Sequence, residues 1–117
     1  MKKILVIEDD TDILELVTYL LNDSGYEVTS STSLLPVQNI LDINPNLILL
    51  DNYLPDGFGS DLCLEIKNDV RSKHLPVIML SANTGLNELA KKSRADAFIP
   101  KPFDIDNLLG NVKELIS

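Results

Sequence analysis

The chain has 117 residues, 44% of them hydrophobic, enough for one buried core and too few for two domains, so residues 1–117 are read as a single domain. Eighteen acidic residues against ten basic ones give a formal charge of -8, which argues against direct binding to nucleic acid, whose phosphates need a basic face. A lone Cys63 excludes an internal disulfide framework, and no apolar run has the length of a membrane span or of a signal peptide core, so a soluble, reduced, cytoplasmic setting is expected.

The first element is a strand. In Lys2-Lys3-Ile4-Leu5-Val6-Ile7-Glu8 four apolar residues, Ile4 to Ile7, end in acid, and Asp9 and Asp10 follow at once. Three adjacent carboxylates repel one another, so at least one should have a raised pKa unless a cation compensates. Ile13, Leu16, Val17, Leu20 and Leu21 then hold the spacing of a helix with one apolar stripe, with Asp12 and Glu15 near its positive end and Gly25 suited to stop it. Tyr26 to Ser30 reads as a short, polar second strand. Ser33 is a candidate cap for a second helix whose apolar face is Val37, Ile40 and Leu41, with Pro36 tolerated in the first turn and Pro45 closing it.

The central run is Asn46-Leu47-Ile48-Leu49-Leu50-Asp51, four large apolar residues in succession and then a carboxylate. Such a run indicates a strand covered on both faces, as in a parallel sheet. The Pro and two Gly in Asn52 to Gly59 lead the chain away through a loop rather than a tight hairpin. Ser60 or Asp61 opens a third helix, with Leu62 and Ile66 inward and Cys63 a small packing residue beside them. Asn68 to Leu75 is a polar connection; its His74, without Cys or a second His nearby, is not read as a metal ligand. Pro76 to Ser81 is a further buried strand, ending in a hydroxyl. Leu86, Leu89 and Ala90 mark a fourth helix after the loop at Ala82 to Gly85. Ala97 to Pro100 is the last strand, followed by Lys101, and Asp104 caps a fifth helix with the stripe Ile105, Leu108, Leu109, Val112 and Ile116.

Strand and helix alternate five times, which implies a parallel sheet with right-handed crossovers and helices on both faces. All strand C-termini then open on one edge, where such sheets hold ligands. Glu8, Asp9, Asp51, Ser81 and Lys101 are all placed there. The carboxylates form a hard-oxygen cluster suited to Mg²⁺. Ser81 and Lys101 could hold oxygens of a phosphoryl group in transfer, with Asp51 either a ligand alone or also the nucleophile of an aspartyl phosphate.

With those residues in place the whole chain resembles a receiver domain of bacterial two-component response regulators. The matching motifs are Ile-Leu-Val-Ile-Glu-Asp-Asp (4–10), Leu-Ile-Leu-Leu-Asp (47–51), Leu-Pro-Asp-Gly (54–57), Pro-Val-Ile-Met-Leu-Ser-Ala (76–82), Ala-Asp-Ala-Phe-Ile (95–99) and Lys-Pro-Phe (101–103). The resemblance implies an α/β, doubly wound, flavodoxin-like five-stranded parallel sheet of order 2-1-3-4-5. It implies that Asp51 accepts a phosphoryl group from a histidine kinase or a histidine phosphotransfer protein, and that Asp9 binds Mg²⁺ directly and Glu8 through water. The Tyr53 carbonyl would be a further ligand, and Asp10 would lie near the start of the first helix. Ser81 and Lys101 would engage the phosphoryl oxygens, Lys101-Pro102 would be cis, and Ser81 with Phe98 would form the switch that reshapes the face of helix 4, strand 5 and helix 5 for a downstream partner. Phe98 read from the residues alone is ordinary packing, and it lacks the hydroxyl of the commoner tyrosine. On this resemblance the protein is a phosphorylatable switch rather than an enzyme.

Four positions depart from or tune the pattern. Arg94 stands where a glycine usually ends helix 4 and calls for a left-handed residue there or a different helix end. Asn52 replaces a commonly apolar residue, and Tyr53 and Asn83 occupy the two positions that tune attack of water on the aspartyl phosphate. Rival readings fit less well. A phosphatase of the haloacid dehalogenase type needs a second acid at position 53, which is Tyr; a flavin carrier needs a hydroxyl- and glycine-rich loop where this chain has Glu8-Asp9-Asp10. A receiver-like interaction module regulated by binding alone would not need every site residue.

Overall fold

The computed structural model describes residues 1–81 and 92–116. Strands β1 (Lys3–Ile7), β2 (Glu27–Ser31), β3 (Leu47–Asp51), β6 (Val77–Ser81) and β7 (Ala97–Pro100) form one sheet of order β2-β1-β3-β6-β7. Every neighbouring pair in it is parallel. Setting aside a two-residue ladder between β4 (Tyr53–Leu54) and β5 (Gly57–Phe58), this is the expected 2-1-3-4-5 order.

Alternation along each strand divides the core into two layers. Leu5, Ile7, Ile48, Leu50, Val77 and Met79 face Ile40 of helix α2 (Val37–Ile43) and Leu62, Cys63 and Ile66 of helix α3 (Gly59–Asn68). Ile4, Val6, Leu47, Leu49, Ile78 and Leu80 face Val17 and Leu21 of helix α1 (Thr11–Asp23) and Leu108 and Val112 of the C-terminal helix (Ile105–Ile116). Because both faces are covered, Leu47 through Asp51 are all buried. A one-residue slip of β3 would exchange the two side-chain sets, so packing pins the register that carries Asp51 to its place.

Local chemistry sets the element ends. Asp10 Oδ1 accepts from the N–H groups of Asp12 and Ile13 at 3.0 and 3.1 Å, capping α1. Gly25 follows that helix at φ +94°, where a side chain would be strained. Asp104 Oδ1 accepts from Asn107 N–H at 3.0 Å and caps the C-terminal helix. Arg94 adopts the left-handed region at φ 63°, so the position where a glycine was expected keeps that conformation with a side chain on it.

Several expectations are corrected. The chain leaves β3 through a tight hairpin and not an open loop, because Tyr53 pairs with Phe58 and Leu54 with Gly57 around Pro55 and Asp56. Helix α2 begins at Val37, and Ser33 does not cap it; the Ser33 N–H donates to Ser31 Oγ instead. Helix α3 begins at Gly59 rather than at Ser60 or Asp61, and its cap residue Phe58 offers no side-chain acceptor. Strand β2 runs one residue later than its sequence pattern suggests. Leu16 and Ile105, assigned to inward stripes, are each 45% exposed. The proposed fourth helix at Leu86, Leu89 and Ala90, and Asn83 before it, lie outside the described residues.

Candidate functional site

Parallel strands bring their C-terminal ends to one edge, and the sequence places acids, a hydroxyl and a lysine there. Glu8 follows β1 directly, Asp51 ends β3, Ser81 ends β6, and Lys101 follows β7. The Lys101 N–H donates to the Ser81 carbonyl at 3.0 Å, which extends the β6·β7 ladder to the mouth of the site. Lys101 begins a cis peptide bond to Pro102, as expected.

Lys101 Nζ donates to Glu8 Oε1 at 2.5 Å and to Asp51 Oδ1 at 3.0 Å. One cation therefore bridges two buried carboxylates 93 and 50 residues away in sequence. Burial works against the Lys101 charge, but its bonds to Glu8 and Asp51 outweigh that and hold its pKa above the ordinary value. Glu8 is 1% exposed. Its burial, reinforced by the neighbouring Asp51 carboxylate and only partly offset by Lys101, pushes its pKa up to about 7. A raised carboxyl pKa was expected from the run of adjacent acids; it is found at Glu8, but burial and the Asp51 carboxylate from the neighbouring strand raise it, not Asp9 or Asp10.

Glu8, Asp9 and Asp51 each present a carboxylate oxygen, all within 4.8 Å of one another. Glu8 and Asp51 are buried while Asp9 is exposed, giving a cluster closed behind and open in front. Glu8 Oε2 is buried and has no hydrogen-bond partner among the described residues. An anionic oxygen left so is costly, and a cation at the mouth, directly or through a water, would relieve it. The donors are all hard oxygens, without Cys or His, so the set fits Mg²⁺ better than a soft metal. Asp10 is separate from this cluster, committed to the α1 cap.

Tyr53 stands in the hairpin two residues past Asp51, its ring 48% exposed and set edge-on against Phe58 with centroids 5.8 Å apart. Phe98 lies beside Met79 across the β6·β7 pair and is half-buried against the core layer under α2 and α3. Ser81 is fully buried. Asn83 falls outside the described residues.

Two residues that frame the site escaped sequence reasoning as such. Asn52, noted only as an unusual polar residue, is 2% exposed, and its Oδ1 accepts from the Ser60 N–H at 3.0 Å. A buried amide directly after a strand-end acid was the available signal. Gly59 sits so close to the acceptor strand that a Cβ there would lie 2.1 Å from the Asp51 carbonyl oxygen, a contact no side chain can make.

Over residues 4–113 the chain matches the family model of the response regulator receiver domain. The chain belongs to the response regulator receiver family. PilG of Pseudomonas aeruginosa is 36% identical over 95% of the chain and 84% of its own length. The transcriptional regulator RpaA of Synechocystis is 34% identical, over 99% of the chain and 49% of RpaA. The chain thus spans about half the length of RpaA, and similarly 52% of the Escherichia coli regulator PhoB. Among solved structures, a CheY-like receiver domain protein from Methanospirillum hungatei superposes with a TM-score of 0.83 at 30% identity, covering 99% of this chain and 94% of that one. The response regulator TrrA from Thermotoga maritima, in complex with Mg²⁺ and BeF, gives 0.84 at 28% identity over 98% and 99%. The fold expected from the motifs is therefore the receiver fold, and receivers of this family serve as switches in two-component signalling. Among the described residues, no helix of this receiver is long and apolar enough to cross a membrane.

Proposed function

We propose that this receiver is a Mg²⁺-dependent phosphoacceptor in which Asp51 takes a phosphoryl group from a phosphohistidine donor, on a histidine kinase or a histidine phosphotransfer protein. The observation that carries the proposal is the Lys101 ammonium held between Asp51 and Glu8 beside a three-carboxylate cluster. A carboxylate oxygen of Asp51 attacks phosphorus, a P–O bond forms, and the P–N bond to the donor imidazole breaks. Asp9 and Asp51 would hold the metal directly, Glu8 through water, and the Tyr53 carbonyl would complete the protein ligands. The metal supplies charge neutralisation for the transferred group.

The chain's own residues do the rest. Lys101, freed from Asp51 as that carboxylate becomes an acyl phosphate, pairs with a phosphoryl oxygen. Ser81 moves to donate to another, and the space it leaves admits Phe98, which needs only to turn from its half-buried position on β7. The phosphoryl group brings roughly one and a half to two negative charges to a buried strand end, and the proposed bistable element that answers is the face of β7 and the C-terminal helix together with the fourth helix expected from the sequence. Tyr53 and Asn83 would set how readily water attacks the acyl phosphate, with self-dephosphorylation ending the signal. RpaA is named a DNA-binding transcriptional regulator; for this acidic receiver a protein effector or output domain docked on that face, in the cytoplasm, is the proposed readout.

Intact mass after incubation with Mg²⁺ and a small acyl phosphate tests the reading. One added phosphoryl group is expected, lost in Asp51→Asn and in excess chelator. An unchanged mass in folded, Mg²⁺-binding protein would overturn it.

A further inference from the structure

We infer that Asn52 is the positioning residue of the site: it staples the hairpin that follows Asp51 to the start of helix α3 and so fixes the peptide between the acceptor and Tyr53. This rests on the metal site proposed above and deepens it. Three hydrogen bonds converge on this one residue. Its N–H donates to the Leu80 carbonyl at 3.1 Å, next to Ser81; its carbonyl accepts from Gly59 N–H at 2.7 Å; and its side-chain Oδ1 accepts from Ser60 N–H at 3.0 Å.

The first two bonds are available to any residue but proline at this position, whereas the third needs a side-chain acceptor of this length. Helix α3 has no cap of its own, since Phe58 precedes it and makes no side-chain cap bond. Its orphan N–H of Ser60 is satisfied instead from across the hairpin. The hairpin's seven residues, Tyr53 to Gly59, therefore leave and return to one anchored point, closed by the tight approach of Gly59 to the Asp51 carbonyl. Without the Asn52 side chain, the α3 terminus would keep only the backbone bond from Gly59, and the base of the hairpin could shift even though its tip stays tied by the Leu34 N–H to Asp56 Oδ1 at 3.2 Å. The Tyr53 carbonyl and ring would move with the base.

Asn52→Leu keeps the branched shape and removes the acceptor; Asn52→Asp keeps an acceptor; Ser60→Pro leaves Asn52 in place and removes the backbone donor, at a first-turn position where proline is tolerated. Mg²⁺ affinity is read by calorimetry, phosphoryl lifetime by intact mass, and folding by urea unfolding on each protein. Loss of a group that orients a metal ligand typically weakens metal binding ten- to a hundredfold, so about tenfold weaker Mg²⁺ binding is expected in Asn52→Leu and in Ser60→Pro. Near wild-type affinity is expected in Asn52→Asp, and a changed phosphoryl lifetime in the first two. Should Asn52→Leu not fold, Ser60→Pro gives the same comparison with Asn52 in place. Folded Leu or Pro variants that bind Mg²⁺ like wild type, or an Asp variant as impaired as Leu, would overturn the assignment. If no protein takes a phosphoryl group yet the affinities keep the expected order, the positioning role stands and the phosphoacceptor reading alone falls.

Discussion

Glu8 carries the electrostatic tension of the site. Its folded pKa of about 7 lies above the ordinary 4.5, so between those values the native state binds more protons than the unfolded chain. Stability of the metal-free protein should therefore fall as pH rises from 4.5 to 7 through this group, and Glu8→Gln should remove that part of the slope. Urea midpoints in chelator at pH 5 and 8, wild type against Glu8→Gln, measure the difference. A metal-bound acidic site favours the ionised form, so saturating Mg²⁺ should flatten the wild-type slope as well. Cys63 shows the opposite outcome of burial. Desolvation pushes its thiol up to about 11, in keeping with the packing role read from the sequence rather than that of a nucleophile.

Among the elements, helix α1 shows how neighbouring acids are given different work. Asp9 is exposed at the carboxylate cluster, whereas Asp10 turns to cap the helix through two backbone N–H groups. Asp10→Ala should cost about 1 kcal/mol of stability, the usual worth of such a cap, and leave phosphoryl uptake intact. Asp9→Asn should do the reverse, abolishing Mg²⁺-dependent uptake with little loss of stability. Parallel unfolding and mass measurements on the two variants check this; equal loss of uptake in both would mean that the cap and the cluster are not separable. The hairpin after β3 was hidden from sequence reasoning because its ladder is two residues long, too short for any period to register.

At the scale of the whole molecule, one lysine joins chain segments that no local rule connects. Lys101 bridges Glu8, just past β1, and Asp51 at the end of β3 while its backbone extends the β6·β7 ladder. Removing one partner of a buried ion pair typically costs 3–5 kcal/mol. Lys101→Met in metal-free protein should therefore lose about 3 kcal/mol at pH 8, and less at pH 5, where Glu8 takes up a proton instead. Mg²⁺ should restore part of the loss, since it neutralises the same carboxylates. Stability that falls equally at both pH values and ignores Mg²⁺ would mean that packing of the lysine stem, not its charge, is what matters.

The order of the five main-sheet strands and of α1, α2, α3 and the C-terminal helix, the buried character of β3 and the strand-end positions of Glu8, Asp51, Ser81 and Lys101 were all legible in the chain, because apolar period and turn residues are local signals and a parallel sheet turns strand ends into one edge. The family resemblance put Asp10 near the start of the first helix and left two possible helix ends at Arg94; the structure makes Asp10 the cap and Arg94 the left-handed residue. What only the tertiary structure decided is which partner each of these groups meets. Ser33 had the right residue type to cap α2 and does not; Asn52 had no helical neighbour in sequence and caps α3 from eight residues away. Leu16 and Ile105 keep a helical apolar period yet lie 45% exposed, since a stripe is wider than the strip of sheet that covers it. Local sequence sets what a residue can bond; the fold brings the bonding partner within 3 Å, and that choice depends on contacts dozens of residues away.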